Sequence, residues 1–129
     1  MLTYKPLVSV LMNCHNGDRF LNQSIHSILT QDYHNIELIF FDNCSSDRSA
    51  EIVKSYEDTR IKYFRSQKKL SLSEARIEAW KYISGEYVAI LDTDDLSLPG
   101  RITKQVNFFL ENKNISVLGG NSYFIDNNG

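Results

Sequence analysis

Cysteine is scarce, and its scarcity excludes a great deal. Two cysteines, Cys14 and Cys44, in 129 residues cannot build a disulfide framework or a zinc cage. A reduced, cytosolic setting is the plain expectation. No apolar run approaches the roughly 20 residues that a membrane-spanning helix needs. Met1 to Pro6 lack the basic-then-apolar pattern of a secretory leader. Neither charge sign dominates: 14 basic against 16 acidic residues give a net charge of −2, so no global field draws nucleic acid or anionic lipid. Neither G-x-G-x-x-G nor a Walker pattern is present, which removes the familiar phosphate loops. There is no Pro-rich linker, no low-complexity stretch and no internal repeat. What remains is the composition of an ordinary globular protein, 42% hydrophobic and 23% charged, long enough to bury a core without staples. One domain over residues 1–129 is expected.

Strand and helix patterns alternate along the chain. Leu7–Met12, Ile36–Phe41 and Tyr87–Leu91 are short apolar runs, fit for strands covered on both faces. Ile61–Phe64 carries a charge and reads as a strand nearer an edge. A fifth strand is expected to start at Ile115–Leu118, and Asn121–Asp126 also reads as strand material, with Asn127-Asn128-Gly129 as a turn leading onward. That ending suggests a truncated chain. Helical spacing of apolar residues appears over 20–29, 50–56, 71–83 and 101–111. Asn16-Gly17-Asp18 is expected to cap the first helix, and Gly85 to end the third. Alternation of this kind predicts an α/β domain with right-handed crossovers, a mostly parallel sheet of about five strands and helices on both faces. Ligands of such sheets bind beyond the carboxyl ends of the strands, which directs attention to the loops at 13–16, 42–47 and 92–95.

The last of these loops is Asp92-Thr93-Asp94-Asp95. Three carboxylates follow an apolar strand taken to be central, and no basic residue intervenes before Arg101. Like charges so close raise each other's pKa unless something neutralises them. Mg²⁺ or Mn²⁺ would do so, taking oxygens from carboxylate and phosphate. The alternative is a solvated turn capping the next helix. Asp42 ends the second strand, where a carboxylate can meet a base or ribose or simply shape a turn. Arg76 lies four residues before Trp80 on the third helix, placed either to face a diphosphate or to be solvated. Cys14 and His15 do not make a thiol–imidazole nucleophile, because neighbours on a strand point to opposite faces.

In order, the motifs are Val8-Ser9-Val10-Leu11-Met12-Asn13-Cys14-His15-Asn16-Gly17, Ser27-Ile28-Leu29-Thr30-Gln31-Asp32-Tyr33, Glu37-Leu38-Ile39-Phe40-Phe41-Asp42-Asn43-Cys44-Ser45-Ser46-Asp47, Leu72-Ser73-Glu74-Ala75-Arg76 and Gly85-Glu86-Tyr87-Val88-Ala89-Ile90-Leu91-Asp92-Thr93-Asp94-Asp95, with Leu98-Pro99 and Lys104-Gln105 after them. Each piece is weak alone. The ordered set covers nearly the whole chain and resembles family 2 glycosyltransferases of the GT-A fold. The resemblance implies the Rossmann-like, nucleotide-sugar-binding portion of such an enzyme, with a nucleoside-diphosphate sugar donor, often UDP-linked, and a saccharide or lipid-linked acceptor. It implies that Cys14 and His15 line the base pocket, that Asp42 and Arg76 lie near the nucleotide, and that Asp92 faces ribose or orients the turn. Asp94, with Asp95 second, would hold Mn²⁺ or Mg²⁺ and the diphosphate. Such enzymes usually invert the anomeric centre and serve cell-surface polysaccharide biosynthesis. Their catalytic base lies later than this chain reaches, so no catalytic residue is named. A cytoplasmic location follows, at the inner face of the membrane where a later segment provides peripheral contact.

The chain departs from the family's usual wording. Asn13-Cys14-His15-Asn16 stands where Pro-Thr-Tyr-Asn is usual, Asn43 and Cys44 replace an Asp and a Gly, Ser71 a Gly, and Ile77 an Asn. Three other readings compete. A response-regulator receiver needs an acidic pair after the first strand, and Asn13-Cys14-His15 supplies none. A haloacid-dehalogenase-type phosphatase would use Asp92-Thr93-Asp94, but Asp95-Leu96 follows where Gly-Thr is wanted. A non-catalytic nucleotide-binding fragment is the third.

Overall fold

The computed structural model describes residues 4–126. Met1 to Thr3, part of the Met1–Pro6 segment read above, and the expected turn at Asn127-Asn128-Gly129 lie outside them. Eight elements alternate: β1 (Val8–Cys14), α1 (Asp18–Leu29), β2 (Ile36–Asp42), α2 (Ser49–Lys54), β3 (Ile61–Arg65), α3 (Leu72–Trp80), β4 (Tyr87–Ile90) and α4 (Arg101–Glu111). The sheet has four strands in the order β3-β2-β1-β4, and every pairing is parallel. The α/β, Rossmann-like architecture read from the alternation is therefore present.

Two hydrophobic clusters sandwich the sheet. Val10, Met12 and Cys14 of β1 meet Leu38 and Phe40 of β2, Leu21, Ile25 and Ile28 of α1, and Ile102 and Val106 of α4. On the other face Leu11, Ile39 and Phe41 meet Ala75 and Ala79 of α3. Alternate residues thus serve opposite faces, as a strand's period of two requires. The two alanines bring α3 close to the sheet.

Four expectations are corrected. No fifth strand forms at 115–118, and 121–126 carries no strand either, among the described residues. Val117, Tyr123 and Phe124 are instead largely exposed: β propensity without a partner edge does not make a strand. The fourth strand is not central. β4 is an edge strand among the described residues, and Ile90 is half exposed. Helix α3 ends at Trp80 rather than at 83, and its C-terminal cap is Lys81, not Gly85. Gly85 is needed for a close approach: a Cβ there would lie 2.6 Å from Ser9 N and 2.7 Å from Leu7 O. Finally, no side chain of 16–18 caps α1. Its first amide is capped across the loops, with Asp18 N donating to Asp47 Oδ2 at 2.9 Å while Arg48 N donates to Asp18 Oδ2 at 3.3 Å.

At the amino-terminal side of the sheet, Glu37 of β2 is almost fully buried. It accepts hydrogen bonds from Ser9 Oγ, from Ser84 N (2.8 Å) and Ser84 Oγ, and from Lys62 Nζ. Burial opposes its charge, and Lys62, Ser9 and Ser84 more than offset that, holding its pKa at about 2. This carboxylate fastens the α3–β4 turn to β1 and β2.

Candidate functional site

Three loops leave the carboxyl ends of β1, β2 and β4 side by side. The first two are laced together. Cys14 N-terminal to the β1–α1 loop is buried, with Sγ 3.7 Å from Ser45 Oγ, and burial pushes its thiol pKa up. Asn16 adopts a left-handed φ of 55°, its amide donates to Ser45 Oγ (3.0 Å), and its Oδ1 accepts from Ser46 N (2.7 Å). Gly17 N donates to Ser49 Oγ at 3.1 Å. His15 follows the end of β1, and like Cys14 it contacts the β2–α2 loop. Its Nδ1 lies 2.8 Å from the carbonyl oxygen of Asn43. A carbonyl only accepts, so Nδ1 carries a proton.

Asp42 occupies a different setting from the one its position suggested. Its carboxylate is fully buried and accepts from Ser45 N (2.7 Å), Tyr63 Oη (2.7 Å) and an Arg65 guanidinium N–H. A carboxylate so engaged shapes the β2–α2 loop. It lies inside the fold, not at the cleft surface. Asn43, read from sequence only as a turn residue, closes a pair of hydrogen bonds with Leu70, accepting from its N (2.8 Å) and donating to its O (2.9 Å). That pair ties the segment before α3 to the end of β2. No sequence signal pointed to it beyond the polar character of the loop.

The third loop carries the acidic turn. Asp95 N donates to Asp92 O at 3.2 Å. Asp92, Asp94 and Asp95 are exposed. Partial burial raises the Asp95 pKa, and the charges of Asp92 and Asp94 raise it further, while Arg101 lowers it. Arg101 is held by Ile90 O (3.1 Å), and burial lowers its own pKa. Arg76, reaching over from α3, brings its guanidinium to 4.0 Å from Asp92 Oδ1. The structure thus joins two of the residues singled out from sequence, Arg76 and Asp92, and leaves both half exposed. The first loop abuts this turn: a Cβ on Gly17 would lie 2.6 Å from Thr93 Oγ1.

Behind the turn stands α1. Ser24 Oγ lies 2.9 Å from Thr93 O and 3.4 Å from Asp92 O, and it also donates to Asp95 O. Gln31, two turns on, donates to Ser97 O (3.2 Å) and Leu98 O (3.0 Å) and accepts from Ile102 N. Ser24 on α1 and Gln31 just beyond its end therefore template the segment from Asp92 to the start of α4. The sequence reading missed these residues; their spacing is helical, but nothing marked their polar partners.

Among the described residues no group of three His, Cys, Asp or Glu side chains converges into a ready-made metal cage. The donor chemistry fits a cation held by one or two carboxylates and completed by phosphate and water, the mode Mg²⁺ and Mn²⁺ favour. Among the same residues, no helix is long and apolar enough to cross a membrane.

Parallel α/β sheets take their ligands beyond the carboxyl ends of their strands, and that is where the acidic turn and Arg76 lie. The family model for Glycosyl transferase family 2 matches residues 9–129, and the chain belongs to that family. It is 38% identical over 122 residues to the UDP-Glc:alpha-D-GlcNAc-diphosphoundecaprenol beta-1,3-glucosyltransferase WfgD of Escherichia coli, covering 95% of this chain and 48% of that protein. It is 34% identical over 113 residues to the putative teichuronic acid biosynthesis glycosyltransferase TuaG of Bacillus subtilis, covering 86% and 45%. The chain spans about half the length of the curated relatives it matches. Its fold is that of S. aureus TarS 1-349, solved in complex with UDP-GlcNAc (TM-score 0.78, 23% identity, 83% of this chain and 32% of that one). It is also that of the mannosyltransferase PcManGT from Pyrobaculum calidifontis, solved with GDP-Man and Mn²⁺ (TM-score 0.75, 23% identity, 83% and 33%).

Proposed function

We propose that this chain is the donor-binding portion of an inverting glycosyltransferase. It would take a nucleoside-diphosphate sugar, UDP-linked by preference, and the whole protein would pass the sugar to a saccharide or lipid-linked acceptor in cell-surface polysaccharide synthesis. The observation that carries the reading is the acidic turn at the end of β4, facing Arg76 of α3 at 4.0 Å. The nucleoside would lie across the ends of β1 and β2, beside His15. Arg76 is free to exchange its exposed contact with Asp92 for a phosphate, which a planar guanidinium recognises well. Asp94 and Asp95 are the residues that would hold Mn²⁺ or Mg²⁺. Bound there, the cation supplies charge neutralisation at the departing diphosphate. Asp42 supports the site from beneath by fixing the β2–α2 loop. Deprotonation of the acceptor hydroxyl falls to a carboxylate of the longer protein.

Calorimetric titration of UDP with Mn²⁺ and with a chelator tests the reading. One or two carboxylates cannot fill a six-oxygen shell, so cation and nucleotide should bind with positive, reciprocal coupling. Tighter UDP binding in Mn²⁺, lost in an Asp94→Asn/Asp95→Asn double variant, is expected. Equal affinities with Mn²⁺ and with chelator would defeat the metal assignment.

A further inference from the structure

We propose that Ser24 is a positioning residue for the diphosphate, acting by turning the backbone amides of Thr93 and Asp94 outward to bind it. The proposal rests on the donor-binding reading above and adds to it a second, cation-independent contact with the phosphates. Ser24 is fully buried on α1, and the carbonyl oxygens of Asp92, Thr93 and Asp95 all approach its hydroxyl. A serine hydroxyl has one proton to give. Asp92 O also accepts from Asp95 N within the turn, whereas Thr93 O and Asp95 O have Ser24 Oγ as their donor. The consequence lies on the opposite side of each peptide plane. The chain has no cis peptide bond, and in a trans peptide the N–H points opposite to the C=O. With the carbonyls of Asp92 and Thr93 drawn towards α1, the N–H groups of Thr93 and Asp94 point away from it. Helices α1 and α3 pack on opposite faces of the sheet, so these amides look towards the side from which Arg76 reaches Asp92. Among the described residues neither amide donates to a protein acceptor. Two successive N–H groups in a turn, with Arg76 reaching the Asp92 carboxylate of the same turn, are donors of the kind that bind phosphate oxygens. Flanking carboxylates would otherwise repel that anion; the amides and Arg76 let it approach before a cation has neutralised them.

The proposal separates the phosphates from the nucleoside, and so does its test. Wild type, Ser24→Ala and Ser24→Thr would be titrated with UDP and with uridine, each in Mn²⁺ and in chelator, after urea denaturation has established that each is folded. Ser24→Ala should weaken UDP by roughly tenfold, the size of one lost charge-assisted hydrogen bond. The loss should appear in both the Mn²⁺ and the chelator arms and leave uridine affinity unchanged. Ser24→Thr, which keeps the hydroxyl, should restore UDP binding. A purely structural serine would lower stability while leaving the ratio of UDP to uridine affinity as it was, and that result would overturn the proposal. A second measurement needs no variant: with chelator present, the amide resonances of Thr93 and Asp94 in the wild-type NMR spectrum should shift on adding UDP and not on adding uridine. Absence of that shift overturns the proposal even if Ser24→Ala fails to fold. Failure of wild type to bind UDP under any condition overturns the donor-binding reading itself. Normal wild-type binding that Ser24→Ala matches overturns this inference alone.

Discussion

Cys44 holds a left-handed φ of 56° that non-glycine residues adopt at a cost of roughly 1–2 kcal/mol. Its Sγ lies 3.3 Å from Ser66 O, a weak return. Cys44→Gly should therefore raise stability by about 0.5–1 kcal/mol, the relieved strain less the added freedom of the unfolded chain. A urea midpoint that falls instead would show that the thiol contact outweighs the strain. Asp42 is the opposite case. With three donors aimed at a carboxylate of zero exposure, Asp42→Ala should cost about 2–4 kcal/mol, and the same denaturation series measures it. This difference marks how far single residues were legible. The position of Asp42 at the end of a strand could be read from the apolar run before it. Its depth could not, because Tyr63 and Arg65, which cover it, lie some twenty residues on and join it only through the β2–β3 pairing. Arg76 and Asp92 were singled out separately, and only the packing of α3 reveals that they face each other.

Among the elements, β2 and the turn before β4 depend on a buried charge. The folded pKa of Glu37 is about 2, below the ordinary value of 4.5. A depressed acid contributes stability that is fully present above the unfolded pKa and is lost as pH falls through the folded one. Stability should thus decline between about pH 4.5 and pH 2. The amount is roughly 2–3 kcal/mol once the exposure of Lys62 is allowed for. Chemical denaturation at pH 7, 4 and 2.5 checks this, and Glu37→Gln should flatten that limb. Gly85→Ala would press a methyl group on the backbone of Leu7 and Ser9 and should cost about 1–3 kcal/mol. Strands and helices up to residue 111 were readable from local signals: continuous apolar runs for β1, β2 and β4, and helical spacing for α1 and α4. The reading of 115–118 failed because a strand's existence depends on a partner edge, which no local pattern reports. The reading of Gly85 as a helix cap failed because a glycine needed for close approach and one needed at a helix end look alike in sequence.

At the scale of the whole molecule, the edge that β4 forms among the described residues, where only Ile90 O is met by Arg101, governs behaviour in solution. Its four residues, Tyr87, Val88, Ala89 and Ile90, include no charge and no proline, the usual guards of an edge. Ile90 is 46% exposed. The 129-residue chain should self-associate as its concentration rises, and Ile90→Lys should reduce the association. Sedimentation velocity over a concentration series decides; a wild type that stays monomeric throughout would refute the expectation. The sheet order has a further consequence, for the sequence of events in folding. β1, β2 and β3 form from consecutive crossovers, whereas β4 must return to β1 across the separation between Val8 and Tyr87. Closing the longer loop is entropically harder, and non-local pairings form late. β4 should dock last, and the Asp92 turn arrives only with it. The same step is the easiest to reverse, so amide hydrogens of β4 should exchange faster than those of β1 and β2. On the donor-binding reading proposed above, the chain would become competent to hold a nucleotide only on completing its final strand, and would lose that competence before it loses its shape.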